Sequence, residues 1–279
     1  MRTLIQKVLI DQQQSFACRT YTTPDFETNW HKHEEHELIL ILQGYGTLML
    51  GDYIGEYKEG DVFFIAGNLP HWFRKQQPKM IASVLVVHFR KEIFGDGFLA
   101  LPELQQIEQL LKKPDGIQLQ KSLLKSVEHQ MLQIEKAKGF SRMSLLLHVL
   151  QEISHSKQCT TLAKNFFTEE EAINPAIEKI FQYTFNHYLQ PITLEEVATI
   201  SNMTIPTFCR FFKRNVKKTY FDFLKEIRIG HACDLLQNSN KPIMEICFES
   251  GYNSWAHFSK QFREVKNMPP GKYRKSYLS

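Results

Sequence analysis

No stretch of this 279-residue chain approaches the ~18 consecutive apolar residues of a membrane-spanning helix, so no membrane partner is expected. Its first residues, "MRTLIQKVLIDQQQ", are partly basic but lack a long apolar core and a small-residue cleavage site, which argues against a signal peptide. Cysteine is sparse. Cys18, Cys159, Cys209, Cys233 and Cys247 are odd in number, scattered, and form no CxxC pair. That argues against a disulfide framework or a cysteine-rich zinc site and favours reduced thiols in a cytoplasmic protein. A strong overall charge is also missing, since the net value is +4. The total conceals an asymmetry: residues 175–279 hold 15 Lys/Arg against 9 Asp/Glu, whereas residues 1–174 hold 19 against 21. Only the C-terminal third is therefore expected to meet a polyanion.

The length suits about two domains, and 43% hydrophobic with 23% charged residues is ordinary for a globular chain. Residues 1–96 read as a β-barrel. The runs "HELILILQ", "GTLMLGDYIGEY", "GDVFFIAG" and "ASVLVVHF" are separated by Gly, Asn, Asp and Pro at the spacing of antiparallel strands. From residue 97 to 157 the period lengthens. "LPELQQIEQLLKK", "IQLQKSLLKSVEHQMLQIEKAKG" and "SRMSLLLHVLQEISHSK" place apolar residues three and four apart, giving a helical pair for packing or dimerisation. Residues 158–174 show no period and are the expected linker, ending where Pro175 opens a helix. The expected fold class is α+β: barrel plus helical pair, then an all-α domain over residues 175–279.

That last domain holds an internal repeat. "LEEVATISNMTIPTFCRFFK" (194–213) and "IMEICFESGYNSWAHFSKQFR" (243–263) align with an offset of 49 before a short turn and 50 after it. Each reads as a helix-turn-helix. Thr204 and Ser254 are the expected N-caps of the second helices, and Asn202 and Gly251 the expected left-handed turn residues. Phe208, Phe211 and Phe212, with Phe258 and Phe262, form the packing faces. The opposite faces are then free to reach base edges in a DNA major groove: Pro206, Cys209 and Arg210 in the first copy, Trp255, Ala256, Ser259 and Lys260 in the second. Lys213, Arg214, Lys217, Lys218, Arg263 and Lys266 are the expected phosphate contacts, with Lys272, Arg274 and Lys275 adding basic charge. The alternative for such a face is plain solvation.

Residues 175–275 resemble the DNA-binding domain of the AraC/XylS family of bacterial transcription regulators. The resemblance rests on Arg228, Ile229, Ala232, Leu235 and Leu236, on Ile243, Glu245 and Ile246, on Gly251 and Tyr252, and on the closing Pro270, Tyr273 and Arg274. Cys247, Lys260 and Asn267-Met268 depart from the usual Ala, Arg and Gly. The resemblance implies two helix-turn-helix units joined by a central helix near Tyr220–Gln237, reading successive groove segments ~34 Å apart. It also implies a homodimer on double-stranded promoter DNA, commonly an activator that touches RNA polymerase.

The segment "HKHEEHE" (31–37) offers a second kind of chemistry. In a strand His31, His33 and Glu37 share parity and face one side, while Glu34 and His36 face the other. His71 would join from a neighbouring strand, and three imidazoles with a carboxylate suit a divalent transition metal. The segment resembles the cupin-like sensor domain of the same family: His31, His33, Glu37 and Gly44 fit H-x-H-x3-E-x6-G, and Gly60, Asp61 and His71 fit the second motif more loosely. Asp25 stands where glycine is usual, and Ala66 where proline is. The resulting expectation is a regulator, not an enzyme, with a small-molecule effector, sugar-like in chemistry, bound by His31, His33, Glu37, His71, Trp30 and Trp72. Tyr21, Arg19 and His88 are further pocket candidates. No cofactor is required, and His31, His33, Glu37 and His71 are the set that would hold a metal. The alternative is a metal-binding cupin protein with an accessory DNA-binding domain.

Overall fold

The computed structural model describes residues 10, 14–23, 30–76, 79–113, 115–156, 159–164 and 175–278. Asp25 and most of the expected linker lie outside the described residues. The chain divides into two compact units, Arg2–Ile173 and Asn174–Ser279.

In the first unit the strands are β1 (Ala17–Thr22), β2 (His36–Gln43), β3 (Tyr45–Leu50), β4 (Tyr53–Lys58), β5 (Val62–Ile65), β6 (His71–Lys75), β7 (Ser83–Phe89), β8 (Asp115–Leu119) and β9 (Cys159–Lys164). They form a six-stranded antiparallel sheet, β1-β7-β2-β5-β8-β9, facing a three-stranded sheet, β4-β3-β6. The large sheet is buried on both faces, which is why "HELILILQ" is a continuous apolar run. Ile39 and Ile41 join Leu48, Leu50, Tyr57, Phe63 and Phe73 between the sheets. Leu38 and Leu40 turn to the other face, where they join Val62, Phe64, Leu85 and Val87 in a core with the helices. Those helices are α1 (Asp96–Leu99), α2 (Gln105–Lys112), α3 (Lys121–Lys136) and α4 (Gly139–His155). Val127, Met131 and Ile134 of α3, and Leu146, Val149, Leu150 and Ile153 of α4, supply its helical side.

Two boundaries differ from the sequence reading. Residues 117–119 belong to β8, paired with β5, and not to the helix that follows, which starts at Lys121. Residues 159–164, expected as linker, form β9 against β8. The motif glycines are turn residues. Gly44 (φ 96) links β2 to β3, and Gly60 (φ 83) sits in the β4–β5 turn, where the Lys58 amide donates to Asp61 Oδ2 at 2.9 Å.

The second unit contains α5 (Pro175–His187), α6 (Leu194–Ile200), α7 (Ile205–Val216), α8 (Tyr220–Asn238), α9 (Ile243–Glu249), α10 (Trp255–Lys266) and α11 (Pro270–Leu278). The expected packing faces are buried: Phe208, Phe211 and Phe212 on α7, Phe258 and Phe262 on α10. α8 serves both halves. Its Tyr220 and Phe223 pack on Phe212, and its Ile229, Cys233 and Leu236 join Ile246, Phe258 and Phe262. Among the described residues no helix is long and apolar enough to cross a membrane.

Candidate functional site

The surface of the second unit expected to face DNA is built on two short turns. Asn202 (φ 54) and Gly251 (φ 80) both adopt the left-handed conformation, and the turns close alike, Met203 N on Ala198 O and Tyr252 N on Cys247 O. Ser254 caps α10 as expected, accepting from the His257 amide at 3.5 Å. Thr204 occupies the N-cap position of α7, but its hydroxyl donates to the Thr207 hydroxyl at 2.9 Å and caps no backbone amide.

Beyond those turns, Pro206, Cys209, Arg210, Lys213 and Arg214 are exposed along α7, and so is Thr207, which the sequence reading passed over. On α10, Trp255, Ala256, Ser259, Lys260, Arg263 and Glu264 line an open groove of about 660 Å³. Two phosphate candidates are otherwise engaged. The Lys218 ammonium donates to both Glu226 carboxylate oxygens at 3.0 and 2.7 Å, so its charge is neutralised within the unit. Lys266 is half-buried with its ammonium 5.8 Å over the Tyr273 ring. Arg274 is likewise structural, donating to the Lys241 carbonyl at 2.7 Å.

In the first unit the expected histidines and glutamate converge. His31, His33, Glu37 and His71 are all buried, and His88 joins them. His31, His33 and Glu37 do face one side, but not as residues of a single strand. β2 begins only at His36; His31 is held by a bridge to His71, and His33 O accepts from Asn68 N at 2.7 Å. The imidazole centroids of His31 and His71 lie 4.3 Å apart, those of His33 and His71 5.2 Å, and those of His33 and His88 5.1 Å. His36 faces away as expected, stacked on Phe64. Its pKa is pushed down to about 4 by burial, so it is neutral at ordinary pH.

Glu37 is the hub. Its Oε1 lies 2.8 Å from His88 Nε2, and its Oε2 3.0 Å from His71 Nε2 and 3.7 Å from His33 Nε2. Burial opposes ionisation of this carboxyl, but His88 and His71, with contacts from His33, outweigh it and hold the pKa well below the usual carboxylate range. The tautomers follow from the far sides of the rings. His33 Nδ1 meets Glu35 O at 3.0 Å and His71 Nδ1 meets Leu69 O at 2.8 Å, so both Nδ1 atoms carry the proton. With the Nδ1 atoms so engaged, the Nε2 atoms of His33 and His71 are turned towards the Glu37 carboxylate, and both are buried without a well-aligned hydrogen bond, as is Glu37 Oε2. Such an arrangement is favourable only with positive charge at the centre, as ring protons or as a bound cation.

The remaining pocket candidates fall in different places. Trp72 pairs with Met49, whereas His71 and Phe73 pair with Leu50 and Leu48 of the inter-sheet core, so Trp72 lies on the opposite face of its sheet from the cluster. Arg19 is exposed on β1, and Tyr21 packs against the inter-sheet core. Trp30 is buried one residue before the cluster. Glu35 and Arg90, not foreseen, adjoin His33. Arg90 Nε donates to Glu35 Oε1 at 2.8 Å, and Glu35 Oε2 lies 3.7 Å from His33 Nδ1.

A β-barrel with a buried polar hub, followed by a doubled helix-turn-helix with exposed cations, defines a DNA-binding regulator. Known proteins agree. Residues 197–276 match the helix-turn-helix domain family and residues 21–88 the cupin domain family. The HTH-type transcriptional regulator YdeC of Bacillus subtilis is 24% identical over 88% of this chain and 85% of its own. The HTH-type transcriptional activator RhaS of Klebsiella pneumoniae is 26% identical over 86% of this chain and 85% of its own. Among solved structures, ToxT of Vibrio cholerae covers 95% of this chain and 99% of its own at 12% identity and a TM-score of 0.39. The chain thus carries an AraC-type helix-turn-helix domain behind an N-terminal cupin domain, and its relatives are transcription regulators, which points to DNA binding and not to catalysis.

Cupin folds imply a divalent metal, and the donor set fits one. His31, His33 and His71 place one ligand atom each within 4.8 Å of one another, as do His33, Glu37 and His88. The carbonyl-anchored Nδ1 atoms of His33 and His71 are the arrangement that orients metal-binding imidazoles.

Proposed function

We propose that this regulator acts in the bacterial cytoplasm as a homodimer and controls its promoters in response to a small molecule sensed by the N-terminal barrel. The observation that carries the reading is the buried hub of Glu37 with His33, His71 and His88 in a chain whose other unit reads DNA. A hub that needs positive charge changes its energy when a hydroxylated or anionic ligand replaces one of its contacts. That difference is what shifts the populations of two arrangements of the DNA-binding units. Sugar-like hydroxyls match the donors and acceptors of the hub. Base readout is assigned to Pro206, Cys209, Arg210, Trp255, Ala256, Ser259 and Lys260, and phosphate contact to Lys213, Arg214, Lys217 and Arg263. RNA polymerase is the partner at the promoter, with activation the expected sign, as in the RhaS name.

The buried Nε2 atoms of His33 and His71, which make no well-aligned hydrogen bond, favour a second reading, in which the hub holds a divalent metal on His31, His33, His71 and Glu37. A metal there supplies a fixed positive charge and open coordination positions for an effector oxygen.

One experiment tests the sensing reading. Promoter binding and thermal unfolding of wild type and His33→Ala are measured against a panel of sugars and other metabolites. A ligand that raises the unfolding temperature and changes promoter affinity in wild type alone is the expected result. A panel without any such ligand, with equal promoter control by both proteins, would leave the barrel a passive support.

A further inference from the structure

Two residues at the end of β7 complete the hub, and neither belongs to the cupin ligand pattern. On the metal reading just given, we propose that His88 and Arg90 are positioning residues that shape the metal centre of His31, His33, His71 and Glu37 without coordinating the ion.

His88 faces Glu37 because β7 pairs with β2 in a register that sets these two residues opposite each other. Its Nε2 lies 2.8 Å from Glu37 Oε1, a hydrogen-bond distance that commits this nitrogen to donating. His88 thereby ties down one carboxylate oxygen and leaves Oε2 as the one turned towards His71 and His33. A ligating histidine is normally anchored through its second nitrogen. His33 and His71 have that anchor in the carbonyls of Glu35 and Leu69, whereas His88 Nδ1 is buried with no hydrogen-bond partner among the described residues. His88 therefore lacks the anchor that His33 and His71 have, although it stands close enough to be mistaken for a ligand.

Arg90 works on the other side of the hub. Its Nε donates to Glu35 Oε1 at 2.8 Å, and its outer nitrogen pairs with Glu34 at 2.8 Å. Glu35 is buried, and both its carbonyl and its carboxylate Oε2 face His33 Nδ1, at 3.0 and 3.7 Å. Arg90 thus holds the segment that fixes the His33 tautomer and presents its Nε2 inward. The guanidinium is half exposed, so changing it need not disturb the barrel core.

The test titrates the full-length chain with Co(II), read by its visible absorption, and with Zn(II) against a chromophoric chelator. Near-ultraviolet circular dichroism of the metal-free proteins checks folding. Wild type is expected to bind one ion and His33→Ala to lose it. His88→Gln, whose amide can still donate to Glu37, keeps the Co(II) spectrum and the affinity to within about threefold. His88→Leu and Arg90→Met weaken binding by about 10–100-fold, the usual cost of removing a residue that orients ligands. Arg90→Lys restores part of it. Should His88→Leu fail to fold, Arg90→Met still decides. If His88→Gln loses the ion and changes the spectrum, His88 is a ligand and the proposal is wrong. If wild type binds but His88→Leu and Arg90→Met bind equally well, neither residue positions anything. If wild type binds no better than His33→Ala, it is the metal reading itself that fails, a separate outcome.

Discussion

The two helix-turn-helix copies share one frame but are held by different means. α6 begins with a capping box, the Thr193 amide donating to Glu196 Oε2 at 2.7 Å, whereas α9 has Pro242 at its N-cap position and no side-chain cap. The turn residue is asparagine in the first copy and glycine in the second. The surroundings explain the difference, since a Cβ on Gly251 would lie 2.9 Å from the Tyr188 carbonyl and 3.0 Å from Arg228 Nε. Arg228 is fixed there by its own bonds to Tyr188 O and Gln190 O, at 2.7 and 2.8 Å. Charge differs too. α7 carries Arg210, Lys213 and Arg214 and no acidic residue, whereas α10 carries Glu264 beside Lys260 and Arg263. A duplicated frame can therefore keep its geometry while each copy answers to its own neighbours.

The largest test of that equivalence is in the cores. Phe208→Ala and Phe258→Ala should each cost about 3–5 kcal/mol in urea unfolding, because both rings are fully buried. A gap of more than about 2 kcal/mol would show that the copies do not share the load equally. Next comes the turn. Gly251→Ala should cost about 1–3 kcal/mol, from its positive φ and from the crowding by Tyr188. Asn202→Gly should change stability by less than about 0.5 kcal/mol, since either residue tolerates that conformation. On DNA, Arg210→Ala should weaken specific binding by about 1–3 kcal/mol in a gel-shift titration, and Lys260→Ala by less, because an ammonium on a flexible stem lacks the rigid planar fork of a guanidinium. The smallest effect contrasts two lysines. Lys213→Ala should lower the salt dependence of binding by about one unit of slope, and Lys218→Ala should leave it unchanged, because its charge is spent on Glu226.

Local pattern was legible in the sequence wherever one element decided it. The 49-residue repeat, the phenylalanine anchors and the left-handed turn positions follow from helix period and turn chemistry alone, and all of them appear in the fold. The run "HELILILQ" is β2 end to end. What stayed hidden depended on pairing across the chain. Ile117 and Leu119 continued the helical spacing of the residues after them, and only pairing with β5 and β9 makes them a strand. "CTTLAK" is too polar to announce β9. Trp72 resembled a pocket residue until the register of β6 on β3 set its face. Glu35 had a usable signal, the same odd parity as His33 and Glu37, but its partner Arg90 lies 55 positions away and had none. His88 was visible as a lone histidine in "VVHF", yet its role depends wholly on lying opposite Glu37.

The shared helix α8 has one more consequence. At 19 residues it is a stiff rod of ~28 Å that roots both reading heads in the same piece of backbone. On the proposed DNA contacts, once one head has engaged the other would arrive at a high effective concentration with no further loss of translational freedom, so a single chain would already gain the avidity usually left to a pair. The rod also fixes a helical phase. Inserting half a turn of DNA, ~5 base pairs, between the two contacted segments would carry one of them to the far side of the duplex, where the rod cannot follow.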